Sequence, residues 1–168
     1  MSVAHSIHAS CVAFSKTDKE AKEGVLLLGA SGAGKSSLAY NLITTQRAHL
    51  VGDDRVHLDM GGDMGGDKNA TCAAVSPTPA LAGLLELRGL GLVRLPYLES
   101  VPLALAVELV AREDVPRLAT PLYWQERIPL LKLHAFDMNT PTLIKAALLW
   151  LASQTNKTGF CDDAIYEM

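Results

Sequence analysis

The chain has 168 residues, 49% hydrophobic and 20% charged, which is the length and balance of one ordinary globular domain with a real core. Its net charge of −3 gives no basic excess of the kind that nucleic-acid binding draws on, and no apolar run, the one at 146–152 included, is long enough to span a bilayer. Cys11, Cys72 and Cys161 are far apart with no Cys-x-x-Cys, and MSVAHSIHASCV lacks a basic leader before an apolar core; a zinc site, a disulfide framework and a signal peptide are not indicated, and a reducing, cytoplasmic compartment is expected. In chain order, residues 7–14 (IHASCVAF) read as a strand rich in β-branched and aromatic residues, and the charged stretch 15–23 as a hairpin or loop. Residues 24–29 (GVLLLG) read as a buried strand, continuous in apolar residues and bounded by glycines. A helix is predicted next over 36–45, with Leu38, Leu42 and Ile43 on one face. AHLVGDDRVHLDM reads as two short strands meeting near Gly52 and Asp53, and 61–71, rich in glycine and aspartate, as a flexible turn.

A proline-punctuated loop then leads into a short helix or strand over 81–87, a turn at Gly89 and Gly91, and a buried strand over 101–110. Pro116, Pro121 and Pro129 divide the chain beyond that strand into short extended pieces. A second helix is predicted over 140–153, with Thr140 as N-cap and Pro141 at the first helical position, before a polar tail. There is no internal repeat and no linker, so 1–168 reads as a single domain.

Gly29-Ala30-Ser31-Gly32-Ala33-Gly34-Lys35-Ser36 satisfies G-x-x-x-x-G-K-[ST] at every fixed position, with a predicted strand before it and a helix after it. Glycines let the backbone curl so that several N–H groups converge on one anion, and the helix start adds its own unpaired N–H groups and positive end. In such a loop Lys35 reaches the β- and γ-phosphates and Ser36 offers an oxygen to Mg²⁺, and Gly29 to Ser36 together with Ser37 are the expected nucleotide-binding residues. The motif points to a nucleoside triphosphate or pyrophosphate without naming the acceptor.

Asp53 and Asp54 stand side by side. On an extended strand they face opposite sides, so one carboxylate points at the phosphates; the alternative is a solvated turn. Glu86 and Arg88, on an extended segment, project to the same side, where a carboxylate can hold Mg²⁺ and a guanidinium phosphate; the alternative is a surface ion pair beside a turn. His8 precedes the phosphate-loop strand and, taken alone, is an ordinary core or surface histidine. TNKTG at 155–159 lacks the aspartate of a guanine-reading N-K-x-D.

Ile7-His8-Ala9, GASGAGKSS, LVGDDRV and LLELRGLG, occurring in that order, together resemble the catalytic domain of HPr kinase/phosphorylase over about residues 7–95. The resemblance implies an α/β P-loop domain with a mixed sheet, related to the nucleotide-binding part of phosphoenolpyruvate carboxykinase. It implies a cytoplasmic, hexameric protein-serine kinase that uses ATP or pyrophosphate with Mg²⁺. Its partner is HPr, the phosphocarrier of the sugar phosphotransferase system, or the nitrogen-related paralogue, and it reverses the reaction by phosphorolysis. By position, Asp53 is implied as the proton acceptor, Lys35 and His8 as neighbours of the transferring phosphoryl group, and Ser36 and Glu86 as Mg²⁺ ligands. Glu86, Leu87, Arg88, Gly89, Leu90 and Gly91 fall in the family's signature stretch, implied to serve both directions. By the same resemblance the chain is expected to correspond to the catalytic domain alone, without the separate N-terminal domain of longer members, as in short alphaproteobacterial forms. Arg127 is the nearest candidate for the family's late catalytic arginine. The basic, glycine-containing loop used in dephosphorylation has no counterpart, because ERIPLLKLHAFDMNTP runs from strand almost directly into helix. A nucleotide-binding sensor without catalysis and a P-loop kinase of another substrate are the rival readings.

Overall fold

The computed structural model describes residues 5–15, 22–61, 73–120 and 122–153. The charged insert at 16–21, most of the glycine-rich turn at 61–71, Cys72, Cys161 and the TNKTG segment lie outside them. The elements are β1 (His5–Ile7), β2 (Ser10–Ser15), β3 (Lys22–Leu28), α1 (Lys35–Gln46), β4 (His49–Gly52), β5 (Val56–Asp59), β6 (Ala74–Pro77), β7 (Leu84–Leu87), β8 (Gly91–Arg94), β9 (Val101–Leu109), β10 (Tyr123–Trp124), β11 (Ile128–Leu133) and α2 (Thr140–Ser153). Short 3₁₀ turns at Pro79–Leu81 and Arg112–Asp114 join β6 to β7 and come after β9.

The main sheet has nine strands in the order β1-β5-β6-β9-β3-β2-β4, with β11 added to β9 and β10 to β11. It is mixed: β3 and β11 run parallel to β9, and the other pairings are antiparallel. The expected strand over 7–14 is two strands. β1 pairs with β5 and β2 with β3 and β4, so the chain changes partners at His8 and Ala9. The facing chain breaks at the same level. Cys11 pairs with Gly52 and Ile7 with Val56, leaving 8–10 opposite 53–55, and Asp54 takes the left-handed conformation with φ 62°.

Side-chain alternation along the central strands divides the core in two. Val12, Val25, Leu27, Leu105 and Val107 face one way and pack with Leu38 and Leu42 of α1 and Ile144, Leu148 and Leu151 of α2. Cys11, Leu26, Val51, Val56, Val75 and Ala106 face the other way. β3 therefore reads as a continuous apolar run because both its faces are covered. Burial pushes the Cys11 thiol far above its ordinary range, which leaves it inert.

The segment expected as helix or strand before Gly89 is the strand β7, hairpinned to β8 in a separate two-stranded sheet. Pro129 does not break its segment. It is the second residue of β11, ahead of the ladder to β9 that starts at Leu130, so its missing N–H costs that ladder nothing. Thr140 is not the N-cap of α2: its hydroxyl donates to the His134 carbonyl at 2.7 Å, and the Asn139 carbonyl accepts from the Leu143 N–H. The carboxyl ends of β3, β9 and β11 lie on one edge of the sheet, and the connections leaving them meet there, as α/β sheets arrange their binding crevices.

Candidate active site at the phosphate loop

The loop from Gly29 to Gly34 links β3 to α1. Its glycines are required by geometry. Gly29 has φ 145°, and a Cβ there would lie 3.0 Å from the Leu109 carbonyl oxygen. Gly34 has φ 96°, and a Cβ there would meet the Ala135 Cβ at 2.7 Å and Phe136 Cζ at 2.8 Å. Helix α1 starts with no side-chain cap and no acidic residue in its first turn, so its first N–H groups keep their capacity for an external anion. Ala30 and Ala33 close the loop through a 3.1 Å backbone hydrogen bond.

The Lys35 ammonium lies across the loop and donates to the carbonyls of Gly29 at 2.8 Å and Ala30 at 2.9 Å. Burial pushes its pKa down, and the Asp53 and Asp54 carboxylates push back up. Ser36 donates to Asp53 Oδ1 at 3.0 Å, and Ser10 donates to the same oxygen at 2.5 Å. The Glu86 N–H approaches Asp53 Oδ2 at 3.4 Å. Asp53 is thus a buried carboxylate, 4% exposed, tied to the phosphate loop, to β2 and to β7.

Asp54 does not turn away from the site, as an extended chain would require. Its left-handed backbone breaks the alternation, so Asp54 lines the cleft while Asp53 lies buried behind it, bonded to Ser36. Asp54 Oδ1 lies 3.3 Å from His8 Nδ1, and both side chains are substantially solvent-accessible. A cleft of about 200 Å³ is lined by His8, Ser31, Gly32, Gly34, Lys35, Ser36, Ser37, Asp54, Glu86, Arg88 and Phe136. Glu86 and Arg88 do share a side, and they face this cleft. Leu87 packs on the core, while Gly89, with φ 91°, and Gly91, with φ 114°, shape the hairpin tip around exposed Leu90.

Arg127 is not brought to the cleft. It sits in the exposed β10–β11 turn and donates to the Met60 carbonyl at 3.4 Å. The passage from β11 to α2 is short, as expected, and contains Phe136, whose presence at the phosphate loop no local pattern signals. Ser10 is a second residue that sequence reasoning does not single out. Its only sequence signal is a hydroxyl in an apolar strand, and its meaning depends on the β2–β4 pairing.

Ser10→Ala removes a buried hydrogen bond to a carboxylate. We expect a loss of about 1.5–3 kcal/mol of folding stability, the usual worth of a hydrogen bond to a charged group. Urea unfolding measures it, and a loss below about 0.5 kcal/mol would mean that this bond carries little.

The donor set suits Mg²⁺. Among the described residues no group of three or more His, Cys, Asp and Glu forms an all-protein metal cage. Mg²⁺ is ordinarily held through one or two carboxylates together with substrate phosphates. Ser36 and Glu86, both lining the cleft beside the phosphate loop, could provide such a partial shell.

The chain is similar to known proteins in the way this geometry suggests. The family model of the HPr Serine kinase C-terminal domain matches residues 2–101. HPr kinase/phosphorylase of Shouchella clausii is 41% identical over 71 residues, covering 42% of this chain and 20% of that protein. HPr kinase/phosphorylase of Cupriavidus metallidurans is 39% identical over 100 residues, covering 54% of this chain and 28% of that protein. The matches thus span less than a third of either relative. The solved Hpr(Ser) kinase/phosphatase from Coxiella burnetii shares the fold with a TM-score of 0.62 at 23% identity, over 84% of this chain and 91% of that one. With the phosphate loop, the paired acids and the Glu86–Arg88 hairpin all inside the matched span, the chain belongs to the family of the HPr Serine kinase C-terminal domain.

Proposed function

We propose that residues 1–168 form one catalytic domain that transfers the γ-phosphoryl group of ATP to a regulatory serine of HPr or its nitrogen-related paralogue. The observation that carries this reading is the Asp54–His8 pair set in the same cleft as the phosphate-loop lysine. A bare nucleotide sensor needs the loop but has no use for an accessible carboxylate beside it. The names of the two relatives support the choice of acceptor.

Phosphoryl transfer asks the protein for alignment and charge neutralisation. The backbone N–H groups of the loop and of the first turn of α1 hold the donor phosphates. Lys35 leaves its carbonyl partners for them, and Arg88 adds a second positive charge at the cleft. Ser36 and Glu86 would hold Mg²⁺ together with the nucleotide, and the ion would supply further charge neutralisation there. Asp53 receives the Ser36 hydroxyl proton in a hydrogen bond and so orients its oxygen. The serine hydroxyl of the partner attacks the γ-phosphorus, the bond to the leaving phosphate oxygen breaks, and the serine proton passes to a carboxylate.

We assign that carboxylate to Asp54, in place of the Asp53 implied by position. Asp53 is buried and already engaged by two hydroxyls, whereas Asp54 is accessible and lines the cleft. His8, in contact with Asp54, holds it toward the phosphates. Assembly as a hexamer and a cytoplasmic location accompany this reading by family resemblance.

The test is transfer of label from γ-³²P-ATP, with Mg²⁺, to an HPr protein and to its variant lacking the regulatory serine. Label on the first and not on the second is the expected result. Tight ATP binding with no transfer to either would favour the sensor.

The reverse reaction is expected to be slower. Phosphorolysis brings inorganic phosphate against a phosphoserine, two anions that repel at close range. The cleft offers Lys35 and Arg88, and Arg127 lies outside it. We expect pyrophosphate release from the serine-phosphorylated partner, at saturating phosphate, to run at least about tenfold below kinase turnover, equivalent to about 1.4 kcal/mol of barrier. Equal rates in the two directions would show that the absent basic loop is dispensable.

A further inference from the structure

An aromatic ring stands in an otherwise polar cleft. Phe136 is 62% exposed and lines the cleft with Lys35, Ser36 and Arg88. It is the one Phe, Tyr or Trp among the described lining residues. Isolated exposed apolar side chains are common and need no explanation. This one is held in place.

Its ring packs on the start of α1, close enough that a Cβ on Gly34 would meet Cζ at 2.8 Å and Cε2 at 3.1 Å. The His134 ring meets it edge-on, with centroids 5.8 Å apart and planes at 69°. His134 is fixed in turn, with Nδ1 3.0 Å from the Val110 carbonyl oxygen and its own carbonyl accepting from Thr140 Oγ1. Arg112 beyond β9 binds Asp137 at 2.5 Å. The segment between β11 and α2 is therefore pinned at several points to its neighbours, with its aromatic residue against the phosphate loop. Ordering the ring in advance lowers the entropy cost of using it as a contact.

The loop's N–H groups account for phosphates and leave a nucleoside without a surface. We propose that Phe136 is the platform on which the donor nucleobase stacks, making the site prefer a nucleoside triphosphate to bare polyphosphate. Every base offers a π-face, so the platform takes nucleobases in general and does not choose among them. This rests on the reading of the loop as a triphosphate cradle, and the experiment separates failure of one from failure of the other.

Isothermal titration of the protein with Mg²⁺-ATP and with Mg²⁺-tripolyphosphate, which has the phosphates and no base, provides the comparison. Phe136→Ala is expected to weaken ATP roughly 5- to 150-fold, the range for removing one aromatic partner from a stacked base. The preference for ATP over tripolyphosphate is expected to fall by the same factor. Phe136→Trp is expected to hold that preference within about threefold, because indole also stacks. Phe136→Leu keeps an apolar contact on Gly34 without a ring, so it shows the same selective loss and serves if the alanine variant does not fold. An equal loss of both ligands, or no loss of either, would overturn the proposal, since the ring would then only pack the loop or stand idle. Failure of the unaltered protein to bind either ligand would instead bring down the cradle reading and the platform with it.

Discussion

Lys35→Ala is expected to weaken triphosphate binding sharply and to slow transfer further still. The lysine is the positive charge of the loop, and its ammonium donates to the carbonyls of Gly29 and Ala30. Loss of one charged donor to phosphate weakens binding by roughly 10- to 150-fold, from about 1.5–3 kcal/mol per charge-assisted hydrogen bond. Loss of charge stabilisation in the transition state costs a further factor of about 10²–10³ in turnover. Titration calorimetry and single-turnover transfer measure the two effects separately. Unchanged ATP affinity would overturn the assignment of the loop. Because Lys35 also spans the loop internally, circular dichroism and a urea midpoint should accompany the assay to separate lost charge from a collapsed loop.

The two adjacent acids are expected to fail in different ways. Asp54→Asn should leave nucleotide affinity nearly intact and slow transfer about 10²–10⁴-fold, the range for losing a general base. Asp53→Asn acts at another point. Its amide oxygen can still accept from the Ser10 and Ser36 hydroxyls, but the negative charge beside Ser36 is gone. The Mg²⁺ dependence of transfer should therefore shift to higher concentration, and the apparent nucleotide affinity in Mg²⁺ should fall about tenfold or more, in line with the cost of altering residues that support metal ligands. Titrating Mg²⁺ at fixed ATP for each variant distinguishes them. If Asp53→Asn abolishes turnover with an unaltered Mg²⁺ requirement while Asp54→Asn is nearly silent, the proton acceptor is Asp53 and the roles are the reverse of those assigned here.

Which parts of this site were legible in the sequence depends on the range of the interactions involved. The phosphate loop needs residues close in the chain: a buried strand, glycines at defined intervals, a lysine and a helix start. The sequence determined that much, and the structure has φ 145° at Gly29, φ 96° at Gly34 and α1 beginning at Lys35. The continuous apolar runs of β3 and β9 were likewise readable, because strands covered on both faces have no polar side to obscure them. The shared side of Glu86 and Arg88 came from strand periodicity.

The tertiary structure decided whatever depends on pairings between distant segments. Periodicity put Asp53 and Asp54 on opposite sides; the left-handed turn at Asp54, opposite the break between β1 and β2, put Asp54 at the cleft and left Asp53 buried behind Ser36. The Ser10–Asp53 bond spans β2 and the end of β4, and no local pattern singles out that serine from its apolar neighbours. Arg127 is a candidate by its place in the chain, yet the β10–β11 turn carries it to the Met60 carbonyl. Phe136 reaches Gly34 because β3, β9 and β11 are parallel and end on one edge, bringing the last strand's exit beside the first one's loop. Local conformational preferences and periodicity act over a few residues and were enough to mark the phosphate-loop motif. The surroundings of that loop come from sheet order and register, which are settled only when the two cores are packed together.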